Sequence, residues 1–403
     1  MNIAIVNSVS DRSTGKIASG LQEYLNKQGH SCYLCYGHGK KIKKKNTYRI
    51  DTVVEHYVHA LLCRITGIQG VYSSFATIRL ISFLRKNKIS VIYGIGLHGY
   101  YLNEKMFYKY IIKDDISFVY IMTEEYAFLG KCGYSNGCTN YLNGCGNCPQ
   151  IKEYPKSLFF DRTKEMFKIK KFAYAHIKRK VFVGPEYTIL AGKKSPLLRG
   201  IKTEIIDEAI NVDFYKPRKY DNLLEELRID ANRIIILCIA PLSYERKGVR
   251  FFIELAKKFE GNNRYIFVHV GYDSNNKADL PGNLLVIGYE SDQNRLAMYY
   301  SMADLFVFPS LLDTMPNACL EALACGTPLL CFNTSGMPFL GDDTVATFVD
   351  EKNVEKMAEV VRNTGKKQKS VIDCCRKYAV KRYDNKLYYK KLLDLAISLE
   401  EKR

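Results

Sequence analysis

Asp313 and Glu321 are separated by seven residues in the stretch Phe308-Pro-Ser-Leu-Leu-Asp-Thr-Met-Pro-Asn-Ala-Cys-Leu-Glu-Ala-Leu-Ala-Cys-Gly-Thr-Pro328. The apolar residues ending at Phe308 read as a strand, the polar ones after it as a loop. Pro316 suits the first turn of a helix, whose free N–H groups attract anions. A phosphate at that helix mouth would have Asp313 on its loop side and Glu321 one to two turns inside the helix. Two carboxylates so placed suit the hydroxyl-bearing groups flanking a diphosphate, as in a nucleotide sugar. A helix-capping Asp and a surface Glu account for the same spacing. In Ala240-Pro-Leu-Ser-Tyr-Glu-Arg-Lys-Gly248, Arg246 and Lys247 lie beside a glycine between a strand and a helix. Two cations there can neutralise a diphosphate leaving group; a solvated basic helix start is the plainer alternative. Cys132, Cys138, Cys145 and Cys148 fall in a Gly- and Asn-rich loop that ends in CxxC. Four thiols so spaced suit one tetrahedral structural zinc, with free thiols as the alternative. No further ligand type suggests a catalytic metal. His98 is a lone histidine after a strand, a position more often structural.

These groups need a framework. At 403 residues the chain exceeds what one core usually organises, so two domains are expected. Hydrophobic residues at 47% and charged residues at 25% exclude a disordered or collagen-like chain. No apolar run is long enough for a spanning helix, and Met1-Asn-Ile-Ala-Ile-Val-Asn-Ser8 reads as a first strand rather than an export signal. Thirteen cysteines in such a chain are expected to be reduced. The alternation of strands and helices, with a strand at Asn2 to Val6, a helix from Gly15 to Lys27 and a long helical stretch from Val53 to Asn87, predicts an α/β fold. The second half repeats the alternation, so two Rossmann-like domains facing across a cleft are expected. The expected boundaries are 1–205 for the first domain, 206–383 for the second, and 384–403 for a C-terminal helix docking back on the first.

The formal net charge of +18 points to anionic partners. Between Ile151 and Gly200 basic residues far outnumber acidic ones and aromatics interleave, which suits adsorption to an anionic membrane surface. A solvated helix face competes with that reading. No nucleic-acid motif is present, so nucleic acid is not expected as a partner.

The stretch from Phe308 to Pro328 resembles the signature of the retaining GT-B glycosyltransferases of family 4 (glycosyl transferases group 1), with Asp313 and Glu321 as the carboxylate pair. The likeness is nearest to the exopolysaccharide, colanic-acid-type branch, in which the segment Asp313-Thr-Met-Pro-Asn317 is also matched. The resemblance implies that Glu321 binds the nucleotide ribose and that Asp313 holds donor-sugar hydroxyls, with Met315, Pro316 and Asn317 beside them. It matches Lys247 to a phosphate-binding lysine, and leaves Arg246 to replace the usual arginine, which is Leu242 here. It places Gly15 near donor phosphates or acceptor, and Gly288 and Tyr289 at the nucleobase. It also departs from the branch: Thr123-Glu124 stands at a usual His-Asp pair, so His98 and Glu124 become candidates for handling the acceptor. The function implied is retaining transfer of a sugar from a nucleotide diphosphate sugar to a lipid-linked or oligosaccharide acceptor in bacterial surface polysaccharide synthesis. No cofactor is required for that chemistry. The protein is expected in the cytoplasm, peripheral on the inner face of the membrane. A nucleotide-sugar epimerase and a non-catalytic nucleotide-sugar-binding scaffold are the competing functions.

Overall fold

The computed structural model describes residues 1–39, 41–272 and 280–402. The chain divides into two compact units: unit 1 comprises Met1–Ile206 and Lys386–Arg403, and unit 2 Asp207–Asn385.

In unit 1 the order is β1 (Asn2–Val9), α1 (Arg12–Lys27), β2 (Ser31–His38), β3 (Thr47–Arg49), α2 (Val53–Thr66), α3 (Ser74–Lys86), β4 (Val91–Ile95), α4 (Glu104–Lys113), β5 (Ser117–Ile121), α5 (Thr163–His176), β6 (Lys180–Gly184), α6 (Glu186–Lys194) and β7 (Thr203–Ile205). The strands form one seven-stranded sheet in the order β3-β2-β1-β4-β5-β6-β7, with every pairing parallel. Unbroken apolar runs such as Ile3, Ala4, Ile5 and Val6 are fully buried, as expected of parallel strands covered on both faces.

Unit 2 continues with α7 (Asp221–Leu227), β8 (Ile234–Ile239), α8 (Val249–Lys257), β9 (Tyr265–Val270), β10 (Leu284–Ile287), α9 (Gln293–Met302), β11 (Leu305–Phe308), α10 (Asn317–Ala324), β12 (Leu329–Phe332), β13 (Ala346–Val349), α11 (Val354–Arg362) and α12 (Lys369–Tyr383). Its six strands run β10-β9-β8-β11-β12-β13, again all parallel. The last helix, α13 (Asn385–Glu400), packs in unit 1. There the Tyr93 hydroxyl donates to the Leu392 carbonyl at 2.8 Å and Ser117 Oγ to Glu400 Oε1 at 2.6 Å.

Each sheet reverses its winding once, between β1 and β4 in unit 1 and between β8 and β11 in unit 2. In open α/β sheets such a reversal leaves a crevice at the carboxyl ends of the strands, where ligands bind. The stretch from Val53 to Asn87 is two helices rather than one. A Thr52–Glu55 capping box starts α2, and Gly67 ends it in the left-handed conformation. A Cβ at Gly67 would lie 2.0 Å from the Phe160 carbonyl oxygen, so only glycine fits at this break, while the apolar pattern runs on through Ile68 and Val71.

Candidate active site

In unit 2 the two loops beside the winding reversal meet. Arg246 and Lys247 follow β8, and Asp313 follows β11. The Arg246 carbonyl accepts from Leu311 N at 2.8 Å and from Ser310 Oγ at 3.1 Å, which stitches one loop to the other. Gly248 is needed at this seam: its φ is +67°, and a Cβ there would sit 1.8 Å from the Pro309 carbonyl oxygen. The result is a cluster of charge. Lys247 Nζ is hydrogen-bonded to Asp313 Oδ2, and Arg246 Nη1 lies 3.4 Å from the same oxygen and donates to the Leu312 carbonyl at 2.9 Å. The Asp313 side chain is only 7% exposed, so these cations offset what would otherwise be a costly buried charge. A loop after β12 closes the other side, where Asp313 N donates to Ser335 Oγ at 3.1 Å and Gly336 N to the Asp313 carbonyl at 2.9 Å. The cluster Thr334-Ser335-Gly336 at a strand end was the sequence signal for that third loop.

Beyond Asp313 the chain enters α10 through Pro316, with no side chain capping the helix start. Met315 and Pro316 are buried, and Asn317 Oδ1 is a buried acceptor with no hydrogen-bond partner among the described residues. Glu321 lies further along α10, half-buried, and its Oε2 accepts a 2.9 Å bond from the Tyr300 hydroxyl. Burial, reinforced by Glu321, holds the Tyr300 phenol well above its usual ionisation range, and the same two causes raise Tyr215. Tyr300 therefore remains a donor that fixes the carboxylate. Neither tyrosine was picked out from sequence, because a tyrosine at helical spacing reads as core. Gly288 and Tyr289 follow β10, three strands away from β11 in the sheet order. Both are exposed, Tyr289 at 86%, so the structure does not bring them to the Asp313 cluster.

In unit 1 the strand ends beside the reversal, those of β4 and its neighbour β5, gather a different set. His98 follows β4 and Glu124 follows β5, and His98 Nε2 pairs with Glu124 Oε1. Burial by itself lowers the His98 pKa, but the Glu124 carboxylate outweighs it and the net direction is upward. The His98 ring lies 4.9 Å from that of Tyr126 and 5.9 Å from that of Tyr154. Gly15 sits in the first turn of α1, where a Cβ would come within 2.7 Å of the Ser10 carbonyl carbon, so close packing of helix on loop already requires a glycine there.

The basic segment from Ile151 to Gly200 is not one charged face. Lys170 is buried and donates to the carbonyls of Tyr126, Leu129 and Gly130 at 2.7, 3.0 and 3.2 Å, its pKa pushed down to about 8 by burial. It thereby anchors the loop that carries Glu124. Arg179 is likewise buried, bonded to Asp115 Oδ2 at 2.8 Å and to Ser117 Oγ at 3.0 Å. Cys132, Cys138, Cys145 and Cys148 line one pocket. Their donor chemistry suits zinc, but among the described residues no group of three or more His, Cys, Asp or Glu side chains is arranged to hold a metal ion.

Residues 219–381 match the family described as Glycosyl transferases group 1. The chain is 22% identical over 392 residues to the colanic acid biosynthesis glycosyl transferase WcaC of Escherichia coli (strain K12), covering 89% of this chain and 90% of the relative. Over 167 residues it is 27% identical to the Escherichia coli UDP-Gal:alpha-D-GlcNAc-diphosphoundecaprenol alpha-1,3-galactosyltransferase, covering 38% of this chain and 42% of that one. Among solved structures, Anabaena HepE in complex with UDP-glucose superposes with a TM-score of 0.63 at 11% identity, covering 100% of both chains. The fold is thus the GT-B fold, with a parallel-sheet α/β architecture in both units.

Proposed function

With residues 219–381 forming a glycosyl transferases group 1 domain, we propose that this glycosyltransferase takes a sugar from a nucleotide diphosphate sugar held by unit 2 and passes it, with retention, to a lipid-linked saccharide in bacterial surface polysaccharide synthesis. One observation carries the donor reading: Arg246, Lys247 and Asp313, from loops far apart in sequence, meet at the winding reversal of unit 2. A donor diphosphate competes with Asp313 for the two cations. Its arrival frees the carboxylate to accept from sugar hydroxyls, while Lys247 and Arg246 neutralise the charge that grows on the leaving phosphate. Glu321, aimed by Tyr300, takes the ribose hydroxyls. In the transfer step the bond between the anomeric carbon and the diphosphate oxygen breaks, and a bond to the acceptor oxygen forms on the same face. The acceptor hydroxyl proton passes to the leaving phosphate oxygen. His98 and Glu124 are assigned to orienting the acceptor.

The relatives support the substrate classes: one is named for UDP-galactose and a diphosphoundecaprenol acceptor, and another for colanic acid biosynthesis. No helix among the described residues is long and apolar enough to cross a membrane. A lipid-linked acceptor is met at a membrane surface, and the formal net charge of +18 favours an anionic one. The test is a panel of nucleotide sugars read by thermal stabilisation, since a ligand bound only by the native state raises its apparent stability. One donor should stabilise the wild type and lose most of that effect in Lys247→Ala. Nucleotide release that proceeds equally well without any acceptor would favour an epimerase, and donor binding without turnover a scaffold.

A further inference from the structure

Helices α3, α4 and α5 lie side by side in unit 1, α4 between the other two. Each buries an apolar stripe, with Leu80 and Leu84, Phe107 and Ile111, and Phe167 and Tyr174 pointing inward. Their outer faces are not the polar surface expected of such helices. On α3, Phe75 and Ile78 are 77% and 51% exposed, and on α5 Phe172 is 56% exposed. Between them α4 presents Lys105, Lys109 and Lys113, exposed at four-residue spacing and therefore on one line.

This arrangement makes two grooves with apolar floors and cationic rims. One, between α3 and α4, is floored by Ile78, Ile81 and Met106 and rimmed by Arg85, Lys109 and Lys113. The other, between α4 and α5, is floored by Ile112, Ile169 and Phe172 and rimmed by Lys105, Lys109 and Lys168. The acids of these helices do not balance the rims. Asp114 pairs with Arg85 at 2.7 Å and offsets that cation, but Glu104 is buried and Glu165 is paired with Arg162 through a 2.8 Å bond from Nε, which leaves Lys105, Lys109, Lys113 and Lys168 as the charge of the rims. The face extends onto α2, tied to α3 by a 2.7 Å Arg79–Glu55 ion pair. There Val54, Tyr57, Val58 and Leu61 form an exposed apolar stripe at helical spacing, although His59, Ala60 and Cys63 already fill the inward one.

We propose that the outer face of α2, α3, α4 and α5 is the surface by which this protein seats on an anionic lipid bilayer. Large apolar side chains enter the boundary between headgroups and acyl chains. Lysines on flexible stems lay their methylenes along the grooves and reach out to lipid phosphates. A patch spread over four helices, apolar in its floors and of one sign at its rims, fits a charged fluid surface. The proposal rests on the reading of a lipid-linked acceptor. Its test therefore uses neither donor nor acceptor, so the two can fail separately.

The purified full chain is sedimented with vesicles of phosphatidylcholine, with and without phosphatidylglycerol. Wild type should bind only the anionic vesicles, and weaken with salt as screening shortens the field. The double variant Lys109→Glu/Lys113→Glu should lower partitioning about tenfold or more, and Phe75→Ser/Ile78→Ser by a similar factor, since charge and apolar insertion act together. Lys377→Glu/Lys381→Glu, exposed on α12 and making the same change in net charge, should stay within about twofold of wild type. Equal losses in the α4 and α12 variants, equal binding to neutral vesicles, or no vesicle binding would each overturn the proposal. So would light scattering that shows a dimer dissociated by Phe75→Ser/Ile78→Ser, which would make the face a protein interface. Failure of every nucleotide sugar to stabilise the protein would defeat the transfer reading and leave the vesicle result standing.

Discussion

The two winding reversals carry the same topological feature and different chemistry. In unit 2 a buried carboxylate is held by a lysine and an arginine, and in unit 1 a carboxylate is paired with a histidine. The first set suits a diphosphate, because two cations converge on one place. The second contains the one side-chain type that ordinarily changes charge near neutral pH, here displaced upward by Glu124. One crevice thus gathers cations suited to an anionic ligand and the other holds a histidine whose charge is tied to its carboxylate partner, although both arise from the same sheet topology.

The sharpest way to break this contrast is to remove the unit 2 charges. Lys247→Ala should lower kcat about a hundredfold, roughly 3 kcal/mol of lost charge stabilisation, and Glu321→Ala more than about tenfold. Circular dichroism should show both folded. Wild-type kinetics in both variants would remove the donor site from unit 2.

Changes in unit 1 should be smaller and should depend on pH. Because the folded pKa of His98 is raised, its pairing with Glu124 stabilises the fold fully below the unfolded value near 6.5 and loses that contribution as pH rises through the folded pKa. Glu124→Gln should therefore cost stability below about pH 6 and little in mildly alkaline solution. It should also move the His98 imidazole titration, followed by NMR, to lower pH. His98→Asn should lower kcat about five- to tenfold and alter the acid limb of the pH–rate profile. An unchanged profile would leave His98 a purely structural residue.

The smallest effect tests aim rather than charge. Tyr300→Phe keeps the ring packed and removes one hydrogen bond to Glu321, so donor KM should rise about three- to tenfold, with kcat less affected. If KM is unchanged while Glu321→Ala is severely impaired, the tyrosine does not position that carboxylate.

Much of this protein is legible in its sequence, and the reason is local. Parallel strands buried on both faces appear as apolar runs, and proline and glycine mark where the chain turns. The α/β alternation and the loops bearing Lys247 and Asp313 are therefore visible in the chain itself. The stretch from Val53 to Asn87 reads as one helix because its apolar periodicity crosses the break at Gly67, where the chain takes the left-handed conformation. Lys170 and Arg179 counted as surface charge for a similar reason: composition records a cation but not the carbonyls and carboxylate that receive it in the interior. Residue type and spacing thus determined which groups could do chemistry. Tertiary structure alone decided that Lys247 meets Asp313, that Tyr300 aims Glu321 and that His98 finds Glu124, because each pairing joins loops or helices that only the strand order brings together.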